Sequence, residues 1–128
     1  MRRQIVLGAV LVAGALSVAA AAMQQAAGQQ AGAQPRVVTV DKIKDNFYVM
    51  KGGGGNSSVF ITNDGVVVVD TKNPGWGQPL LDKIKSVTDK PVIMIINTHT
   101  HGDHVSGNVE FPRNVEVVTH ENTKKNME

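Results

Sequence analysis

From residue 36 onward the chain alternates short apolar runs with polar turns, and the runs have strand composition. Val37-Val38-Thr39-Val40 and Phe47-Tyr48-Val49-Met50 are rich in β-branched and aromatic residues and are separated by a polar turn around Asp45-Asn46, which predicts two strands. Gly52 to Gly55 follow, then a third predicted strand, Ser58 to Thr62. Asn63-Asp64-Gly65 supplies the positive φ of a tight hairpin turn into Val66 to Val69. After a loop from Thr71 to Gln78, Pro79 suits the first position of a helix, and Leu80, Leu81, Ile84 and Val87 recur at helical spacing, so one face of it is expected to pack on the sheet. Pro91 ends that stretch. Val92 to Ile96 is apolar at every position, as expected of a strand covered on both faces. Another short strand, Val115 to Val118, and a polar helical stretch from His120 to Glu128 complete the pattern. Strands first, then helix and strand in alternation, predict an α/β layered sheet.

Upstream the pattern changes character. Met1-Arg2-Arg3, the apolar stretch Ile5 to Val18 and the small residues Ala19 to Ala22 read as a secretory signal peptide over 1–22. The alternative is a retained N-terminal anchor, because Gln4 to Ala22 approaches the roughly 20 residues that span a bilayer. Met23 to Pro35, built of Gln, Ala and Gly, offers too little apolar surface to offset its ordering entropy and reads as a flexible low-complexity linker over 23–35. Fewer than about 100 residues remain for a core, enough for one small domain over 36–128. The expected location is the periplasm or the outside of the cell.

Composition narrows the chemistry. Of the 13 basic residues, Arg2 and Arg3 fall in the leader, and the other 11 balance 11 acidic ones, so bulk charge recruits neither nucleic acid nor an anionic membrane. With no cysteine, there is no disulfide framework and no thiolate metal ligand. Imidazole and carboxylate must serve instead. Both are concentrated in His99-Thr100-His101-Gly102-Asp103-His104, directly after the buried strand. In an extended segment His99 and His101 project to one side, and Gly102 is expected to allow the sharp turn that returns Asp103 and His104 toward them. The spacing suits a first-row metal, and two ions about 3.5 to 4 Å apart are the arrangement expected. A His-rich surface loop is the bland alternative, and four fixed uncommon residues after a strand argue against it.

Thr98 to His104, together with Asn63-Asp64-Gly65-Val66-Val67-Val68-Val69-Asp70, resembles the metallo-β-lactamase superfamily through its His-x-His-x-Asp-His core. The resemblance covers residues 36 to 128. It implies that His99 and His101 ligate one metal, that Asp103 and His104 ligate the second, and that Asp103 also acts catalytically by steering the bridging hydroxide or shuttling its proton. Asp70 is implied to support the site by hydrogen bonds. The implied cofactor is zinc, two ions per complete domain, with iron or manganese as other occupants. The implied activity is hydrolysis of a small substrate, such as a β-lactam, a lactone or another ester, by a dimetal-activated hydroxide. The implied fold is the N-terminal half of a four-layer αββα sandwich. The third histidine, bridging acidic residue and late histidine of a complete domain do not occur here, so 36–128 is expected to be a partial domain with an apolar sheet face exposed.

Other readings stay open. A chain that holds one ion through His99, His101 and His120 would be a non-catalytic metal-binding or interaction protein, and a di-iron redox relative is a third class. The resemblance argues against His120 as a ligand. Gly52 to Asn56 matches a hairpin loop that flanks the substrate groove in some members, and equally a flexible connector. Trp76 is read as covering the edge of a core rather than bordering a pocket. Asn56-Ser57-Ser58 fits a glycosylation acceptor and is treated as incidental beside an export signal.

Overall fold

The computed structural model describes residues 35–127. The proposed leader and nearly all of the linker lie outside the described residues. Six strands form one sheet in sequence order: β1 (Thr39–Lys44), β2 (Phe47–Lys51), β3 (Ser57–Ile61), β4 (Val66–Val69), β5 (Val92–Asn97) and β6 (Glu116–Thr119). Among the described residues three helices accompany it: α1 (Gly77–Lys85), α2 (Gly102–Val105) and α3 (Glu121–Met127), with a 3-10 turn at Ser106–Glu110. This is the expected α/β layering. Among the described residues no helix is long and apolar enough to cross a membrane.

The first four strands are antiparallel, because each is joined to the next by a short turn or loop. From β4 on, the pairing becomes parallel, since α1 carries the chain back between β4 and β5, and the segment through α2 does so between β5 and β6. Consequently the C-terminal ends of β4, β5 and β6 lie at one edge, followed by Asp70, the histidine motif and His120. Open sheets of this kind hold ligands outside the carboxyl ends of their strands.

Alternation along the strands separates the two faces. Val59, Val68 and Ile95 stand opposite one another in the ladder and are at most 1% exposed. Leu80 and Ile84 of α1 join them, with Val66, Met50, Phe111 and Val115, in the core. The next row, Phe60, Val67 and Met94, belongs to the other face, and Phe60 is 42% exposed. Val67 and Met94 are half-buried on that face. Leu80→Ala, which removes a fully buried side chain between helix and sheet, should cost about 2–5 kcal/mol in urea unfolding with an unchanged m-value.

Element boundaries moved where tertiary pairing outweighs composition. The first strand was expected at Val37 to Val40 but runs over Thr39–Lys44, since antiparallel pairing with β2 continues through polar Asp41 and Lys42 on an edge strand that solvent can reach. Val38 is still buried, while Val37 is exposed. Helix α1 begins at Gly77, two residues before Pro79. The Glu110 carboxylate accepts hydrogen bonds from Gly75 N at 2.7 Å and Gln78 N at 2.9 Å, satisfying donors at that helix end.

Candidate metal centre

The three residues that leave β4, Asp70-Thr71-Lys72, are all buried, at 4%, 0% and 0% exposure. Asp70 and Lys72 have left-handed backbone, φ 64° and 76°, the only described non-glycine residues that do. Such conformations cost of order 1–2 kcal/mol each and persist where surrounding contacts impose them. Here each side chain turns to a different neighbour.

Asp70 faces the histidine motif. Its Oδ1 accepts from Thr98 N at 2.8 Å, and its Oδ2 from Thr98 Oγ1 and from His104 Nδ1, each at 2.7 Å. An ionised carboxylate only accepts, so the network assigns the His104 proton to Nδ1 and leaves the Nε2 lone pair free. The Thr98 hydroxyl, its proton given to Asp70, accepts in turn from His99 Nδ1 at 2.9 Å. That frees Nε2 of His99 as well. One carboxylate thus sets the tautomer of two imidazoles, directly for His104 and through Thr98 for His99.

Thr71 holds the backbone of the motif. His104 O accepts from Thr71 N at 2.7 Å and from Asn97 Nδ2 at 3.2 Å. Thr71 Oγ1 donates to Asn108 Oδ1 at 2.6 Å, and Asn108 Nδ2 donates to Asn97 Oδ1 at 2.7 Å. These amide and hydroxyl contacts under the motif were not anticipated from sequence. Gly102 departs from expectation too: it opens the short helix α2, its φ is not positive, and a Cβ there would meet Ser106 Oγ at 3.2 Å. The chain turns because His101, in extended backbone, leads into a helical turn, which needs no special freedom at residue 102.

The rings gather. His99 lies 4.7 Å from His101 and 4.0 Å from His104, centroid to centroid, and His104 Nε2 is 3.4 Å from Asp103 Oδ2. Among the described residues no three imidazole or carboxylate groups form a cage for a single ion. Two donors per ion is all that the motif provides under the assignment of His99 with His101 and of Asp103 with His104. The donor set of imidazole nitrogen and carboxylate oxygen, with the Nε2 atoms of His99 and His104 unprotonated, fits zinc. His120 is exposed, and its Nδ1 accepts from Asn122 N at 3.2 Å at the start of α3.

The glycine-rich segment is packed rather than loosely tethered. A Cβ on Gly54, whose φ is 105°, would come within 2.7 Å of Asp103 Cβ, and one on Gly55 within 2.6 Å of His104 Cε1. Only glycine lets the backbone approach the motif this closely. Trp76 is half-buried against the core, and it also lies on Gly53.

The chain belongs to the metallo-beta-lactamase superfamily, whose family model matches residues 50–128. It is 34% identical to the metallo-beta-lactamase type 2 of Elizabethkingia meningoseptica, over 59% of this chain and 34% of that protein. The fold is similar to the HARLDQ-motif metallo-beta-lactamase of Cronobacter sakazakii, with a TM-score of 0.64 at 15% identity over 72% of this chain and 37% of that one. It is also similar to the metallo-beta-lactamase FIM-1 of Pseudomonas aeruginosa in its mono-zinc form, with a TM-score of 0.61 at 18% identity over 74% and 50%. The chain spans between a third and a half of the length of these relatives. Membership supports a metal-dependent hydrolase as the class.

Proposed function

We propose that residues 36–128 are the motif-bearing portion of an exported dizinc hydrolase, in which His99 and His101 hold one ion and Asp103 and His104 the other. The observation that carries this reading is the Asp70 network, which engages Nδ1 of His104 directly and Nδ1 of His99 through Thr98, so that Nε2 is the ring nitrogen each has left for a metal. Metal-bound histidines commonly donate their other N–H to a carboxylate or its relay in this way. Zinc held by these residues would supply Lewis-acid chemistry, a water activated near neutral pH and a polarised scissile carbonyl. In this reading Asp103, partly exposed and 3.4 Å from His104 Nε2, accepts a proton from the attacking water. Asp70 and Thr98 hold the imidazoles in orientation, and Gly54 and Gly55 bring backbone against Asp103 and His104 at that edge of the site.

A small β-lactam, lactone or other ester met in the periplasm or outside the cell is the proposed substrate class. It draws on the leader pattern of residues 1–22 and on the names of the relatives. Chelator competition on the full chain tests the metal assignment. Zinc binding should be lost in His99→Ala and His104→Ala and retained in His120→Ala. Retention in both of the first two would sink the proposal, and loss in the third would favour the non-catalytic reading that recruits His120.

A further inference from the structure

Lys72 is the one buried cationic side chain among the described residues, and neither the hydrolytic chemistry nor the core requires it. Its Nζ donates to Met50 O at 2.9 Å and to Gly55 O at 3.1 Å. These carbonyls bracket the glycine loop, one in the last turnward residues of β2 and one at the end of the glycines. Asn73 N adds a third bond, to Gly53 O at 2.9 Å. A run of glycines has no side chains with which to anchor itself, so donors from the neighbouring segment fix its path. The loop so held lies against Trp76 at Gly53, Asp103 at Gly54 and His104 at Gly55.

We propose that Lys72 is a positioning residue that seats the glycine loop against Asp103 and His104 and so fixes the wall past which substrate reaches the site. Its significance for substrate rests on the hydrolase reading above; the seating of the loop does not. Burial pushes the amine down to about 8, and no carboxylate is hydrogen-bonded to it. A methionine would fill the same channel without burying a charge. What lysine adds, and methionine lacks, is a donor to both carbonyls.

Trp76 is the only tryptophan of the chain and touches the loop, so its emission reports the seating. In the metal-free full chain, Lys72→Met should fold with native circular dichroism yet raise amide exchange across 53–56 by about tenfold, with a red-shifted Trp76. Exchange in β4 and β5 should stay unchanged. Lys72→Arg, which retains donors, should restore part of the protection. Folded Lys72→Met with unaltered loop exchange would overturn the proposal, as would equal loosening in Lys72→Arg. If Lys72→Met does not fold, acetylation of the wild-type chain decides: Lys72 should label at least about tenfold more slowly than exposed Lys42, and equal rates overturn the proposal. Because no metal is present in these measurements, failure of the zinc assignment would be seen separately, in the chelator titration of His104→Ala.

Discussion

Asp70→Ala should weaken zinc binding by about 10- to 100-fold, the scale typical of lost carboxylate partners behind metal-ligating histidines. Removing the carboxylate releases both imidazoles. His104 Nδ1 loses its acceptor, and Thr98, whose hydroxyl proton was committed to Asp70 at 2.7 Å, becomes free to donate to His99 Nδ1 instead. Each ring can then place its proton on Nε2, where a metal must bind. Asp70→Asn should be nearly as damaging although it preserves shape, because its amide nitrogen would donate to one ring and favour the wrong tautomer. Competition with a chromophoric chelator measures this, and wild-type affinity in both variants would refute the relay. Circular dichroism separates it from unfolding.

Stability should rise between pH 8 and 10.5 through Lys72, against the usual alkaline decline. The folded amine titrates near 8 and the unfolded one near 10.5, so between these values the unfolded chain binds one more proton and stability increases with pH. Below pH 8 the cost of the buried ammonium is present in full. At roughly 1.4 kcal/mol per pH unit, the relief reaches about 3 kcal/mol by pH 10.5. The comparison that isolates it is urea unfolding of the wild type and of Lys72→Met at pH 7 and pH 10. The variant should gain on the wild type at pH 7, and the gain should shrink at pH 10. A constant difference would show that Lys72 titrates normally.

What could be read in advance follows the range of the interactions involved. The β3–β4 hairpin was visible because Asp64-Gly65 and the flanking valines are local signals, and α1 because Leu80 and Ile84 repeat at helical spacing. His99 to His104 could be recognised because six adjacent residues carry the donor set. Lys72 could not, since nothing nearby marks a lysine as buried; its acceptors lie 17 and 22 residues away. Glu110 is not marked by its neighbours either, since its partners Gly75 and Gln78 lie more than 30 residues upstream. Asn97 and Asn108 are likewise defined by their pairing across the end of β5. The glycine run was ambiguous for a related reason: its requirement comes from the histidine and tryptophan it meets, not from its own composition.

That requirement has an implication for natural variation. Among the glycines near the motif, the one inside it is the most replaceable, since a side chain at Gly102 meets only the movable hydroxyl of Ser106. Gly54 and Gly55, outside the motif and carrying no chemistry, abut Asp103 and His104 with no space for a methyl group. A saturation library scored for fold and metal retention should accept many residues at 102 and almost none at 54 and 55. The positions with the least chemical character would then carry as much selective information as the ligands they touch.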